Sequence, residues 1–348
     1  MHKEQGLIET RDIVATLVEQ LKPTAAKRVF LVRGTNSYIF CGASDAMKSV
    51  QSKIAIQVTE FCDFSVNPKD EEAKKGLELL LADRPDVIIA TGGGSVMDMA
   101  KLIRHYAAEK GYLVPLWAIP TTAGTGAEAT PFAVVYRNGV KHSMEAEDIL
   151  PDIAILYPPF TYGNNAYLTA CTGFDALAQA IEAYWNPRAT EESRHYSERA
   201  IRMIYKQLPE CIAHPDEAGL RDELLQGAYW AGRAINITKT TAPHAFSYVF
   251  TSKYGYPHGH AVALTFPFFM QLNGSKDLYE LLGMSGDKVL RQMEDYISSL
   301  GLSLQLPGTL DVSGALQAVN VQRLANNPVM VTAEITAELD RYLKSRQA

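Results

Sequence analysis

The sequence predicts a two-part protein. Its N-terminal half is an α/β domain on a doubly wound, mostly parallel sheet, and its C-terminal half is all-α. Three observations predict this. Up to Pro158, short β-branched runs alternate with amphipathic stretches. After Pro158, long helical patterns follow one another with no strand among them. With 348 residues the chain is long enough for two hydrophobic cores. The boundary is expected near residues 158–162, dividing residues 1–160 from 161–348.

"RVFLV" (Arg28 to Val32) reads as a buried strand that ends in a turn at Arg33-Gly34. "KIAIQVTEF" (Lys53 to Phe61) reads as a second strand. "EEAKKGLELLLADRP" is an amphipathic helix that stops before Pro85. "DVIIATGGGSVMDMAKLIRHYAAEKG" gives strand, glycine turn and helix, and "PLWAIPTT" and "DIAILYP" give two more strands. In the second half the helical segments are "DALAQAIEAYW", "EESRHYSERAIRMIYKQLPECI", "LRDELLQGAYWAGRAINITK", "DKVLRQMEDYISSLG" and "VTAEITAELDRYLKSR".

Hydrophobic residues make up 47% and charged residues 21%, as in an ordinary globular protein. The net charge is −6, from 33 basic and 39 acidic residues, which argues against a nucleic-acid binder. Cys41, Cys62, Cys171 and Cys211 are scattered, without a CxxC, so reduced thiols are expected rather than a disulfide framework. The first residues read as charged and amphipathic rather than as a signal peptide, and a cytoplasmic location is expected. The longest apolar run, "AVALTFPFFM" (Ala261 to Met270), is too short to span a bilayer, so no membrane partner is expected.

Gly92, Gly93, Gly94 and Ser95 stand between a strand and a helix. Without Cβ atoms this backbone can approach a ligand closely, and the first N–H groups of the helix suit a pyrophosphate. The spacing is not GxGxxG, and a tight turn is the bland alternative. "PTTAGTGAEAT" (Pro120 to Thr130) is a second small, hydroxyl-rich loop at a strand end, where ligands of open α/β sheets bind.

"TGFDALAQAIEAYW" places Asp175 and Gln179 one turn apart on one helix face. One reading is a helix start, capped by Thr172, with Asp175 at the positive end of the dipole. The other is half of a metal site. His244 and His258 bear on that choice, because a carboxylate and two neutral imidazoles make a sound set of ligands for Zn²⁺ or Fe²⁺. Spacing does not choose between the two. Lys239, with Thr240 and Thr241, could reach an anionic group, or be a solvated lysine at a helix end.

The chain resembles the iron-containing (group III) alcohol dehydrogenases. "PDVIIATGGGSVMDMAK", "IPTTAGTGAEAT", "TGFDALAQAIEAYW" and "HAFSYVFTSKYGYPHG" carry the resemblance in the family's order, and "NNPVMVTAEITAEL" is similar to its closing segment. The resemblance implies the dehydroquinate synthase-like fold, with a dinucleotide-binding domain, a helical domain and a metal in the cleft between them. It implies metal ligands at Asp175, His244 and His258. The family usually has a histidine one turn after the aspartate, and this chain has Gln179 there. Either Gln179 coordinates weakly, or three protein ligands suffice, as in glycerol dehydrogenases and dehydroquinate synthases. For the dinucleotide the resemblance implies Gly34, Asn67, Gly92, Gly93, Gly94, Ser95, Asp98, Thr121, Thr122, Thr125 and Lys141.

The implied activity is oxidoreductase chemistry: hydride transfer between a nicotinamide and a small aldehyde or alcohol at the metal, in a homodimeric protein. His260, two residues after His258, is a candidate proton relay or a packed histidine. No carboxylate follows "RVFLV", and Gly34 lies where NAD-preferring relatives often carry aspartate, which favours NADPH over NADH. "INITKTTAPHAFSY" and "GYPHGHAVAL" look most like the phosphonoacetaldehyde reductase branch, with Lys239 holding the substrate anion and a place in phosphonate metabolism. The alternatives are a general dehydrogenase of short neutral alcohols, a dehydroquinate synthase-like lyase, and a dinucleotide-binding protein without catalysis. The lyase would want a histidine where Tyr248 stands.

Overall fold

A computed structural model describes residues 4–24, 26–137, 140–319 and 321–348, without the side chains of Val140 and Lys141. The chain divides into two compact units, Met1–Gly163 and Asn164–Ala348.

The first unit runs β1 (Gly6–Glu9), α1 (Ile13–Leu21), β2 (Arg28–Arg33), α2 (Ser37–Phe40), α3 (Ala43–Lys53), β3 (Gln57–Phe61), α4 (Asp70–Asp83), β4 (Val87–Gly92), α5 (Gly94–Glu109), β5 (Leu116–Pro120), β6 (Phe132–Arg137), β7 (Val140–Glu145) and β8 (Ile153–Leu156). Six strands form one parallel sheet in the order β1-β8-β5-β4-β2-β3. Alternation along β2 shows why both faces are covered. Phe30 and Val32 enter a core with residues of α4 and α5, while Val29 and Leu31 enter another with residues of α1 and α3. The chain passes from β2 to β3 on one side and then to β4 on the other, so the strand order reverses between β2 and β4. Such a reversal opens a crevice beyond the carboxyl ends of the strands.

Three features of this unit were not expected. β1 lies in the stretch read only as amphipathic, and it is an edge strand of four residues, too short to show a period. β6 and β7 pair antiparallel apart from the main sheet. The available signal was the Asn138-Gly139 dipeptide between two β-prone runs, itself outside the described residues. The strand expected from Lys53 begins at Gln57, because Lys53 closes α3.

The second unit is helical: α6 (Ala166–Trp185), α7 (Glu191–Ile204), α8 (Gln207–Ala213), α9 (Ala218–Thr238), α10 (Ala242–Tyr254), α11 (His258–Asn273), α12 (Lys276–Leu282), α13 (Val289–Ser299), α14 (Val312–Gln317), α15 (Val321–Leu324) and α16 (Ala333–Lys344). α6, α7 and α9 pack on one another, and α11 packs on α6 and α10. The pattern read as one helix from Glu191 is broken between α7 and α8. Among the described residues no helix is long and apolar enough to cross a membrane. The four cysteines are free thiols, with Cys171 and Cys211 buried.

α6 corrects one reading. Its cap is Asn165, which accepts the backbone N–H of Leu168 at 2.8 Å. Thr172 is inside the helix and donates to the carbonyl of Leu168 at 2.9 Å. Asp175 is therefore mid-helix, where the dipole offers it nothing, yet it is 2% exposed. A carboxylate buried there needs a charged partner.

Candidate functional site

The crevice of the first unit is lined by backbone. β4 ends at Gly92 and α5 begins at Gly94, so the helix N-terminus opens on the loop. Packing explains two of the three glycines. A Cβ at Gly92 would lie 2.4 Å from the Val96 side chain, and one at Gly94 would lie 2.9 Å from Thr125. At Gly93 a Cβ would meet only Thr122, at 3.4 Å, so the fold itself tolerates a side chain there.

Pairing of Gly92 with Pro120 brings the second loop alongside, and Thr121 donates its N–H to the Gly92 carbonyl at 3.0 Å. From the β3–α4 loop, Asn67 in left-handed backbone (φ 65°) donates its N–H to Ser95 Oγ at 3.3 Å. Gly34 follows β2, the strand next to β4. Gly34, Asn67, Gly92 to Ser95, Thr121, Thr122 and Thr125 are thus grouped at neighbouring strand ends. Asp98 lies one turn inside α5, half-buried. Beneath the loop, buried Lys101 donates to the carbonyl of Phe132 at 2.7 Å and so ties the far end of the second loop to α5. Burial lowers its pKa to about 8, against the upward pull of Asp98 and Glu128. Lys141 falls on β7, with its side chain outside the described residues.

One feature of this region was invisible in the sequence reading. A carboxylate does stand near Gly34, but it comes from the neighbouring strand. Glu60 of β3 accepts from Arg33 Nε at 2.7 Å and Nη2 at 2.6 Å, while Arg33 Nη1 donates to the Gly34 carbonyl at 3.1 Å. Arg33 is thereby matched by a carboxylate, which removes it as a ready cation for a 2′-phosphate.

In the second unit the site is made of side chains. α6 supplies Asp175, the first turn of α10 supplies His244, and the first residue of α11 supplies His258. Their ligand atoms lie within 4.8 Å of one another. Asp175 Oδ1 is 3.1 Å from His244 Nε2 and 3.8 Å from His258 Nε2. Close helix packing makes this possible. A Cβ at Gly259 would sit 1.9 Å from the Cys171 carbonyl oxygen and 3.1 Å from Asp175 Cβ, so only glycine lets the start of α11 reach α6 here. Asp175 and His244 are buried, while the His258 side chain is 32% exposed, leaving one side of the cluster open to solvent.

Electrostatics of the trio suit a cation. His244 Nδ1 donates to the fully buried Glu182, and Nε2 faces Asp175. Burial disfavours the charged imidazole, but the two carboxylates outweigh it and raise the His244 pKa to about 10. A divalent ion among the same atoms would replace the Nε2 proton as the balancing charge. Donors at about 2.0–2.2 Å from one tetrahedral ion lie about 3.3–3.6 Å apart, so the trio fits once its widest pair closes by about an ångström. Gln179 is buried one turn from Asp175, and its Oε1 accepts no hydrogen bond although the residue is otherwise engaged. A hard oxygen donor at that place is compatible with the site.

Two further expectations find their places. His260 donates from Nε2 to the Ser303 carbonyl at 2.7 Å, which leaves Nδ1 to accept from Tyr167 OH at 2.8 Å. Both ring nitrogens are committed to these partners, which accords with the packed alternative of the two readings. Lys239 closes α9 with φ 68° and ψ 176°, a combination that side chains rarely adopt. Its carbonyl accepts from Asn186 Nδ2 at 3.3 Å and from Thr238 Oγ1 at 3.0 Å. A second cation nearby was missed. The Arg323 guanidinium stacks over Tyr248 at 4.3 Å, and the Tyr248 ring is 6.0 Å from that of His258. Its position on α15, far along the chain, hid it.

A family model described as "Iron-containing alcohol dehydrogenase" matches residues 6–158, and one for the C-terminal part of the Fe-containing alcohol dehydrogenase family matches residues 169–333. The chain is 27% identical to long-chain-alcohol dehydrogenase 1 of Geobacillus thermodenitrificans, over 92% of this chain and 91% of the relative. It is 32% identical to phosphonoacetaldehyde reductase of Streptomyces viridochromogenes, over 63% of this chain and 61% of the relative. A crystal structure of sulfoacetaldehyde reductase from Bifidobacterium kashiwanohense in complex with NAD⁺ superposes with a TM-score of 0.91 at 25% identity, covering 99% of this chain and 98% of that one.

Proposed function

The chain belongs to the iron-containing alcohol dehydrogenase family, whose members use NAD(P) and a divalent metal, and on that footing we propose that it reduces a small anionic aldehyde. The reading for the metal rests on one observation, the meeting of buried Asp175 and His244 with half-buried His258. These three residues would hold Fe²⁺ or Zn²⁺, with Gln179 beside them. When bound, the metal polarises a carbonyl and the nicotinamide supplies hydride.

The chain's own residues then have distinct tasks. The glycine loop with Thr121, Thr122 and Thr125 seats the pyrophosphate, and the N–H groups at the start of α5 face it. The Arg33–Glu60 pair stands where the ribose 2′ position is read, so either dinucleotide is accommodated, and NADPH is favoured only to the extent that Glu60 releases Arg33. Arg323, stacked over Tyr248 beside His258, supplies positive charge near the metal ligands, and Lys239 is the second cation of this reading. Phosphonoacetaldehyde is the proposed substrate. It is the named substrate of one relative, and the sulfonate analogue is that of a structural neighbour. Lys239, five residues before His244, carries the idea in this chain.

Lys239→Ala provides the test. A charge-assisted contact contributes about 1.5–3 kcal/mol, so kcat/KM for phosphonoacetaldehyde should fall roughly ten- to a hundred-fold. The loss with propanal should be much smaller. Equal losses on both would assign Lys239 to the fold. A wild-type enzyme that reduces propanal as well as the phosphonate would leave a general dehydrogenase of short neutral alcohols.

A further inference from the structure

We propose that Glu182 and Ser247 are positioning residues for the metal ligands, each holding the Nδ1–H of one histidine so that both Nε2 atoms are presented toward Asp175. The inference rests on the metal site proposed above. It concerns two residues that touch neither the metal nor the substrate.

Glu182 lies on α6 seven residues after Asp175, two turns along the same face, and is 0% exposed. Besides His244 Nδ1 it accepts the backbone N–H of Thr241 at 2.8 Å and the Thr241 hydroxyl at 2.8 Å. Trp185 Nε1 in turn donates to Thr241 Oγ1 at 3.1 Å. The carboxylate is therefore held from several sides. An ionised carboxylate only accepts, so the proton facing it belongs to His244 Nδ1, and Nε2 is the nitrogen left for a metal.

Ser247, on the next turn of α10, does the same for His258 by a different logic. Its hydroxyl donates its single proton to the His244 carbonyl at 2.8 Å. The hydroxyl oxygen can then only accept from His258 Nδ1, 3.4 Å away. That again leaves Nε2, the atom 3.8 Å from Asp175 Oδ1. Both tautomers follow from one chain of donors and acceptors, in which His244 appears twice, once by its ring and once by its carbonyl.

A merely structural role is the alternative: Glu182 would cap the segment entering α10, and Ser247 would satisfy a helical carbonyl. The two roles separate in metal affinity. The full chain, stripped with a chelator, is titrated with Co²⁺ by visible absorption and with Zn²⁺ by competition. Losing such an outer partner typically weakens metal binding 10- to 100-fold. That is expected for Glu182→Gln, whose amide N–H₂ would face Nδ1 and push the ring proton to Nε2. Ser247→Ala should lose roughly three- to tenfold. Long-range ¹H–¹⁵N spectra of the zinc-loaded, histidine-labelled protein should show both rings protonated at Nδ1.

Affinities within twofold of wild type, with only a lowered Tm, would overturn the proposal. So would a ring protonated at Nε2. If Glu182→Gln does not fold, Ser247→Ala and the spectra decide alone. Asp175→Ala separates the two levels of the argument. If it binds Co²⁺ like wild type, the metal-site reading has failed and this proposal with it. If it loses the ion while Glu182→Gln and Ser247→Ala keep it, only the positioning proposal has failed.

Discussion

The two candidate sites are built on opposite principles. In the first unit, Gly92 to Ser95 offer a ligand bare backbone at the mouth of a parallel sheet, and what matters is which atoms are missing. In the second, Asp175, His244 and His258 offer side chains from three helices, and what matters is which atoms are present. Glycine serves both, but for different neighbours. Around Gly93 the fold leaves room that it does not itself fill, whereas Gly259 makes room for the protein's own Cys171 carbonyl. At Gly92, Gly94 and Gly259 the fold itself demands glycine, and only at Gly93 does it not.

Four changes would break or sharpen that contrast. The largest effect is expected from Gly259→Ala, because a methyl group cannot share 1.9 Å with a carbonyl oxygen. We expect a loss of at least about 3 kcal/mol in guanidinium unfolding, with metal binding lost as well. A wild-type midpoint would mean that α11 can stand off from α6 without harm.

Gly93→Val should be its mirror image. The backbone there is extended (φ −85°, ψ −168°), which any residue adopts. Stability should stay within about 1 kcal/mol. Dinucleotide affinity, read by calorimetry, should fall at least about tenfold, a loss of 1.4 kcal/mol. Intact cofactor affinity in the folded variant would make the glycine loop purely structural.

Gln179→His is smaller in scale and opposite in sign. Imidazole is the better donor for a late divalent metal, so affinity should rise about tenfold if this position faces the ion. No change in Co²⁺ affinity would place Gln179 outside the coordination shell.

Glu60→Gln is the mildest. The Glu60 side chain is 43% exposed, so removing this ion pair should cost under about 1 kcal/mol. Arg33 would then be freed, and the kcat/KM ratio should shift a few-fold toward NADPH. An unchanged ratio would remove the pair from cofactor choice. It is a cleaner probe than Gly34→Asp, whose Cβ would press on Ser37 Oγ at 2.3 Å.

How far the sequence could be read followed the range of the forces involved. The strand–glycine–helix unit at Val87–Glu109 was legible because its signals are local: a buried apolar run, a break, and an amphipathic period. β1 and the β6–β7 hairpin were not, since a four-residue edge strand and a separate pair take their place from neighbours rather than from composition. Glu60 escaped notice for a related reason. A search after the first strand looks along the chain, whereas parallel pairing brings in Glu60 opposite Leu31 from the side. Thr172 reads as a possible cap from the sequence because no local signal marks the true start at Asn165, two turns earlier.

By itself, the sequence determined the α/β-then-α order, the glycine loops and the identities of the residues with metal-binding chemistry, because periodicity and side-chain type are properties of short stretches. Only the tertiary structure decided that Asp175 is buried mid-helix, that His260 is already committed, and that Glu182 and Ser247 each face one imidazole. Asp175 and His244 are separated by 69 positions in the chain yet lie 3.1 Å apart. No local propensity encodes such a meeting. It follows from helix packing close enough to require a glycine at 259.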